Sequence, residues 1–146
     1  MLRGNHPAKV DEKGRLKIPA DFRAILEEKY GPEVYVTSLD GQSARIYPLR
    51  EWQAIEAKLD QAPAMDPSKV RFIERTSYYG QVAALDRQGR ILIHSTLRES
   101  AATDGEVAVL GKLHYLEVWN HEKFLQKLDQ DPFTTDDMSR LAGYGI

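Results

Sequence analysis

The chain has 146 residues, of which 42% are hydrophobic and 29% charged, with a formal net charge of −2 and no cysteine. This length fits one compact domain or two small halves that share a core. The absence of cysteine excludes disulfides, thiolate chemistry and cysteine-ligated metal sites. No apolar run approaches the roughly 20 residues that span a bilayer, and residues 1–9 lack the apolar stretch of a secretory signal. These features predict a cytoplasmic protein.

Positive charge is concentrated in two segments of the chain. Residues 1–23 carry six lysines and arginines against three acids, and residues 83–98 carry three arginines against one acid. Residues 121–137 carry five acids against two lysines. The near-neutral total weighs mildly against a nucleic-acid binder, but the segregation of charge indicates an anionic partner for the two basic segments.

In the first half of the chain, local patterns predict four strands and two helices. Alternation of apolar and polar residues predicts strands over 8–11 and 15–18. Pro19 can begin a helix over 20–29, since it has no amide hydrogen to lose there. Two further strands are predicted around a turn at Asp40-Gly41, before an amphipathic helix at 50–60.

A linker with the sequence DQAPAMD, residues 60–66, follows the first half. The triplet Asp66-Pro67-Ser68 predicts the start of a helix that runs through about Tyr79. The second half then repeats the order of elements found in the first.

In this second half, Ser95 is predicted to cap a helix, and Asp104-Gly105 to end it. A turn is expected at Gly111-Lys112, by analogy with Asp40-Gly41, and an amphipathic helix at 121–130. The tail is predicted to be loosely ordered, with a helix near 135–142.

The frame D-x-x-G-R followed by an alternating apolar run occurs twice. Five residues recur at a constant offset of 75: Asp11, Gly14, Arg15, Ile18 and Arg23 match Asp86, Gly89, Arg90, Ile93 and Arg98. Solenoids need three or more repeats. Two copies instead predict a pseudo-two-fold domain in which each half completes the core of the other.

The spacing D-x-x-G-R predicts a three-residue hairpin loop with glycine in the left-handed conformation. In the first copy residues 12–14 form the loop and Asp11 faces Arg15, and the second copy repeats this arrangement. One interpretation is that such a pair only stabilises its hairpin. Its repetition among basic residues favours a second reading, since a braced arginine can bind guanine bidentately and a DNA groove admits a two-stranded ribbon.

Four segments carry a resemblance to a known family: MLRG, VDEKGRLKIPADFR, LDRQGRILIHSTLR and GEVAVLGKLHYLEVWNHEKF. They resemble the MraZ family, bacterial transcriptional regulators of the division and cell-wall gene cluster. The resemblance covers nearly the whole chain. It implies an α+β, mainly β fold: a pseudo-two-fold, swapped-hairpin (AbrB-like) β-barrel built from two repeats with peripheral helices.

On this basis the first SpoVT-AbrB-like repeat covers 1–60, a linker with a helix 61–82, the second repeat 83–130 and a C-terminal tail 131–146. The resemblance further implies a nucleoid-associated repressor that binds direct repeats in the promoter of its own operon. Its implied partners are double-stranded DNA and further copies of itself in a ring-shaped homo-oligomer, with no membrane and no small-molecule substrate.

The candidate DNA-binding residues comprise the two motif pairs and the basic residues around them: Arg15, Arg90, Asp11, Asp86, Arg3, Lys9, Lys13, Lys17 and Arg87. Arginine at the motif would read bases or phosphates, braced by aspartate, and the other basic residues would contact phosphates. The first hairpin is expected to dominate, because Gln88 and Leu92 replace its two lysines. His94 stands where the family usually has proline, and it is expected to change only how the second helix begins.

An enzyme is not expected. The four histidines have no metal-ligand spacing, and no phosphate loop or nucleophile motif is present. We therefore predict no catalytic residues, no metal site and no cofactor. The alternative is an oligomeric assembly or adaptor protein whose hairpins are purely structural. Aromatic residues that form subunit contacts would suit that role: Tyr78, Tyr79, Tyr115, Trp119 and Phe124.

Overall fold

The computed structural model describes residues 1–146 as eight strands and six helices. The strands are β1 (Leu2–Val10), β2 (Arg15–Lys17), β3 (Glu33–Thr37), β4 (Ala44–Pro48), β5 (Gln81–Ala84), β6 (Arg90–Leu92), β7 (Gly105–Leu113) and β8 (Leu116–Asn120). The helices are α1 (Ala20–Lys29), α2 (Leu49–Gln61), α3 (Pro67–Tyr78), α4 (Ser95–Ala101), α5 (His121–Gln130) and α6 (Thr135–Ala142). None of these helices has the length and apolar character needed to cross a bilayer.

All eight strands form one antiparallel sheet in the order β5-β3-β4-β8-β7-β1-β2-β6. Its two end strands, β5 and β6, are joined by their own hairpin, in which the Asp86 N–H donates to the Arg90 carbonyl at 3.0 Å. The sheet therefore curls into a nearly closed barrel with helices outside it, and the predicted α+β fold class is confirmed.

The barrel is built by exchange of strands between the two repeats. Strand β1 pairs along its whole length with β7, from Leu2 opposite Leu113 to Val10 opposite Gly105. Strand β5 pairs with β3, and β2 pairs with β6. Each repeat therefore inserts its first hairpin beside strands of the other repeat, which is the predicted swapped-hairpin architecture.

One hydrophobic core is shared by both repeats. Of its 18 buried apolar residues, ten come from residues 1–60 and eight from residues 83–130. Leu16 and Ile91 lie directly opposite each other on β2 and β6, and both are almost fully buried. Burying a side chain of this size contributes about 1.5–3 kcal/mol. Since the two sides of the core come from different repeats, neither repeat closes a core alone.

All six predicted helices are present, and α3, α5 and α6 begin at residues whose side chains cap them. Asp66 caps α3 by accepting a hydrogen bond from the Ser68 N–H at 2.8 Å. In the tail, α6 occupies the predicted range and begins with a capping box formed by Thr134 and Asp137. The predicted helices at 20–29 and 121–130 correspond to α1 and α5.

The predicted turn at Gly111-Lys112 is wrong. Both residues lie inside β7, and the chain turns after Leu113, whose φ is +70°. The reason is the pairing with β1, which extends β7 to its end opposite Leu2. A Cβ at Gly111 would lie 2.3 Å from the Arg3 nitrogen, so this glycine permits a close approach of two strands.

The predicted cap at Ser95 is also wrong. Ser95 is the first residue of α4, and the N-cap position is His94, whose side chain makes no capping hydrogen bond. The extended conformation that follows β6 ends at His94, one residue earlier than the serine pattern suggested. His94 has φ −56° and ψ 146°, close to the φ −53° and ψ 141° of Pro19 at the start of α1.

Candidate nucleic-acid interface

The first hairpin is organised around the Asp11 carboxylate. Its Oδ1 accepts hydrogen bonds from the N–H groups of Lys13 and Arg15, both at 2.9 Å, and its Oδ2 accepts from Arg15 Nε at 2.8 Å. The Asp11 N–H donates to the Arg15 carbonyl at 2.9 Å. Gly14 takes the left-handed conformation, with φ +83°. The predicted loop over 12–14 is confirmed, and Asp11 faces Arg15.

The second hairpin has the same set of bonds. Asp86 Oδ1 accepts from the N–H groups of Gln88 and Arg90, and Oδ2 accepts from Arg90 Nε, each at 2.9 Å. Gly89 has φ +74°. The D-x-x-G-R frame is therefore a defined turn in which aspartate fixes both the loop and the direction of the arginine.

These bonds also keep the carboxylates ionised. The Arg15 backbone N–H lowers the pKa of Asp11 below its ordinary value of 3.8, and the Arg15 guanidinium lowers it further against the cost of desolvation. The pKa of Asp86 is lowered by the same groups of Arg90. Each aspartate is thus a negatively charged brace at neutral pH.

Both braced arginines keep hydrogen-bond donors for an external partner. Within the protein, the guanidinium groups of Arg15 and Arg90 donate only through Nε. Their terminal nitrogens make no hydrogen bond, and the side chains are 34% and 25% exposed. A guanidinium presents its donors as a planar fork that matches a phosphate or the Hoogsteen edge of guanine.

The two hairpins form a single surface, which we call the double hairpin (residues 10–18 and 85–93). In the β2–β6 pair Leu16 and Ile91 point into the core, so the residues on either side of them point outward. On this outer face Arg15 lies opposite Leu92, and Lys17 lies opposite Arg90. The two arginines are diagonal neighbours, and such residues are about 7–8 Å apart.

Other candidate residues lie at different distances from this surface. Lys13 and Arg87 are exposed in the two loops. Lys9 is exposed on β1, two residues before Asp11, and lies opposite Glu106. Arg3 pairs with Lys112 at the far end of β1, about 26 Å from Asp11 along the strand. The structure therefore gathers all the candidates except Arg3 at or beside the double hairpin.

The repeat aligns Arg23 with Arg98, but the sequence assigns neither residue a role. In the structure each lies against the hairpin of the other repeat: Arg23 against Gly89, and Arg98 against Gly14. The signal that pointed to them was their constant offset of 75 from each other, the same as for the motif residues. Their contact across repeats is not visible in the sequence.

His94 lies just after β6, at the edge of the double hairpin. The neighbouring Ile93 N–H donates to the Gly14 carbonyl at 2.9 Å, which places His94 beside the first loop. Its side chain is exposed, and its backbone follows that of Pro19. Histidine in place of the proline of the first repeat thus leaves the path of the chain unchanged.

Comparisons with known proteins agree on one family. A family model described as "MraZ protein, putative antitoxin-like" matches residues 1–74 and 81–142. A protein of Acidobacterium capsulatum named "Transcriptional regulator MraZ" is 51% identical over 146 residues, covering 100% of both chains. The chain belongs to the MraZ family.

Two further MraZ proteins extend this similarity. The transcriptional regulator MraZ of Koribacter versatilis is 46% identical over 147 residues and covered in full. That of Tolumonas auensis is 36% identical over 132 residues, which cover 90% of this chain and 87% of the relative. Both D-x-x-G-R hairpins fall inside the residues matched by the MraZ model, so the double hairpin is part of what this chain shares with a family of transcriptional regulators.

Proposed function

We propose that the chain is a sequence-specific DNA-binding repressor that acts on direct repeats in the promoter of its own division and cell-wall operon. The observation that carries this proposal is the pair of outward-facing arginines, each braced by an aspartate through Nε and each with its terminal nitrogens free. A major groove admits a two-stranded ribbon of this width. The name of the relatives, transcriptional regulator, supports the same function.

In this proposal Arg15 is the main reader and Asp11 holds it in position, with Arg90 and Asp86 as their counterparts. The remaining basic residues of the set supply phosphate contacts, which fix the protein on the duplex without reading sequence: Lys9, Lys13, Lys17, Arg87 and, from a separate position, Arg3. A near-neutral chain with few such contacts binds DNA weakly as a single copy.

We further propose that several copies act together in a ring-shaped homo-oligomer at the nucleoid. Linked copies on spaced repeats bind tightly because the second contact becomes intramolecular. Support comes from α5 and α6, in which no residue is buried. Apolar side chains that are 50–83% exposed line these helices and the residues after each of them: Leu125, Leu128, Phe133, Met138, Tyr144 and Ile146. Apolar patches of this kind mark interaction sites.

The test is fluorescence anisotropy with a duplex from the promoter of the chain's own operon, with its direct repeats intact or scrambled, at two salt concentrations. Wild type should prefer the intact repeats and weaken as salt rises. Arg15→Ala should lower the affinity for intact repeats by about 10–100-fold and reduce the preference for them, since one bidentate base contact contributes about 1–3 kcal/mol. Arg90→Ala should cost less, and sedimentation velocity should give all three proteins the same mass.

Binding that ignores both the repeats and the Arg15→Ala substitution would contradict the proposal. It would instead support the alternative, an oligomeric assembly protein in which the hairpins only complete the barrel.

A further inference from the structure

Each helix that follows a hairpin sends an arginine across to the hairpin of the other repeat. Arg23 on α1 lies against Gly89, where an added Cβ would be 2.7 Å from Arg23 Cδ. Arg98 on α4 lies against Gly14, where an added Cβ would be 2.6 Å from Arg98 Nε. The two loop glycines are therefore needed for this close approach as well as for their left-handed backbone.

Arg23 binds the second loop directly. Its Nη2 donates to the Arg87 carbonyl at 3.0 Å, and its Nε donates to Glu27 at 2.8 Å. Glu27 lies one turn farther along α1, so the helix fixes the direction of the guanidinium. The carbonyl inside the 87–89 loop is thus tied to a rigid element of the first repeat.

Arg98 supports the first loop through the edge of the second repeat. Its Nε donates to the Ile93 carbonyl at 2.8 Å, and the Ile93 N–H donates to the Gly14 carbonyl at 2.9 Å. The guanidinium also packs over Gly14 itself. The equivalent backbone hydrogen bond of the first repeat, from the Ile18 N–H to the Gly89 carbonyl, is also present at 2.9 Å.

We propose that Arg23 and Arg98 are positioning residues that act across the repeats: Arg23 sets the orientation of Arg90, and Arg98 sets that of Arg15. The proposal rests on the proposed function, because DNA binding is the event that uses this orientation. A binding group must be held within about 0.5 Å by a supporting shell. A three-residue loop has few contacts of its own, and here that shell is contributed by the other repeat.

A double-mutant cycle measured on the promoter duplex tests the crossed arrangement. Arg23→Met should lower affinity about tenfold, within what one base-reading contact contributes. Added to Arg90→Ala it should cost nothing further, whereas added to Arg15→Ala its effect should multiply. Arg98→Met should do the reverse, adding nothing to Arg15→Ala. Arg23→Lys should recover part of the loss, because a lysine can still donate to the Arg87 carbonyl.

Arg71→Met is the matched control, since Arg71 is exposed on α3, forms no ion pair and loses the same charge. The proposal is overturned when Arg23→Met binds DNA as Arg71→Met does, or when it couples to Arg15 instead of Arg90.

Amide hydrogen exchange gives a readout that needs no DNA. Arg23→Met should speed exchange at Gln88, Gly89 and Arg90 and leave residues 12–14 unchanged. A wild-type protein that ignores the promoter repeats would defeat the proposed function alone. Unchanged or unselective exchange in Arg23→Met would defeat the crossed positioning alone.

Discussion

In the first hairpin Asp11 accepts two backbone N–H groups and one guanidinium N–H, and in the second Asp86 accepts the same three at distances that agree within 0.1 Å. The outward residues differ. Where β2 presents Lys17, the matching position of β6 presents Leu92, and Lys13 in the first loop corresponds to Gln88 in the second.

The groups that fix the shape of each hairpin differ from the side chains that set its surface charge. At positions 13 and 88 only the backbone N–H takes part in the turn, and at positions 17 and 92 the side chain points away from the core. Side chains at these four positions are therefore free to carry charge or not. The two hairpins have one geometry and two electrostatic surfaces, from which we expect unequal shares of DNA binding.

Removing the two lysines of the first hairpin should have the largest effect. Lys13→Gln with Lys17→Leu gives the first hairpin the residues of the second at these two positions, while Glu12 still stands where the second loop has Arg87. Each lost phosphate contact lowers the slope of log K against log salt by about 0.9, so two contacts lower it by about 1.8 and weaken binding about 10–100-fold at low salt. Anisotropy titrations across a salt series measure both quantities.

The reciprocal variant places the two lysines on the second hairpin instead of the first. Gln88→Lys with Leu92→Lys, combined with the first pair, moves two charges between hairpins at constant net charge. In that chain Arg90→Ala should become more costly than Arg15→Ala. An unchanged order of the two alanine effects would mean that the lysines do not decide which hairpin dominates.

A smaller effect, equal in the two hairpins, is expected from pH. Both aspartates have a pKa below 3.8 in the folded protein, so their contribution to stability is present above the unfolded value and is lost as the pH falls through the lowered one. Asp11→Asn and Asp86→Asn keep a side-chain oxygen for the turn but lose the acceptor for arginine Nε. Wild type should therefore exceed both variants in stability at neutral pH and approach them in acid.

Carboxyl carbon shifts followed by NMR measure the two pKa values directly. Titration of either aspartate at or above 3.8 would contradict the bracing. A clear difference between the pKa values of Asp11 and Asp86 would show that their environments differ although their hydrogen-bond distances are nearly equal.

How much of the fold the sequence predicts depends on the range of the interaction. The D-x-x-G-R loops are local, because the aspartate bonds to residues at most four positions away, and they were predicted correctly. The turn prediction at Gly111 was wrong because the glycine is required by β1, more than 100 residues earlier. The approach of β1 leaves no space for a side chain at this position. A glycine next to a lysine has the local pattern of a turn whether or not a strand passes beside it.

The candidate site has the same limit. The sequence predicts which aspartate faces which arginine, but not that Arg15 and Arg90 share one outer face, since that follows from the register of β2 and β6. It also leaves Arg3 in the set, although the strand carries Arg3 to the far end of the barrel. The contacts of Arg23 and Arg98 join residues of different repeats, and repetition reveals such residues without revealing what they contact.

The smallest effect is expected at His94, which stands where the first repeat has Pro19. His94 has proline-like dihedral angles, its side chain makes no capping bond, and its N–H donates no hydrogen bond. Ile93 follows the last residue of β6, as Ile18 follows the last residue of β2. Proline favours an extended residue before it. His94→Pro should therefore stabilise the fold by about 0.4–1 kcal/mol, because it restricts only the unfolded chain.

Pro19→His should lower stability by a similar amount, since it restores that freedom to the unfolded state. Urea unfolding at constant m value measures both changes. Neither substitution touches the braced arginines, so DNA affinity should stay at the wild-type value. A destabilised His94→Pro would mean that the two helix starts are less alike than their dihedral angles. Weakened DNA binding at full stability would instead place the exposed imidazole, beside the first loop, in contact with the duplex.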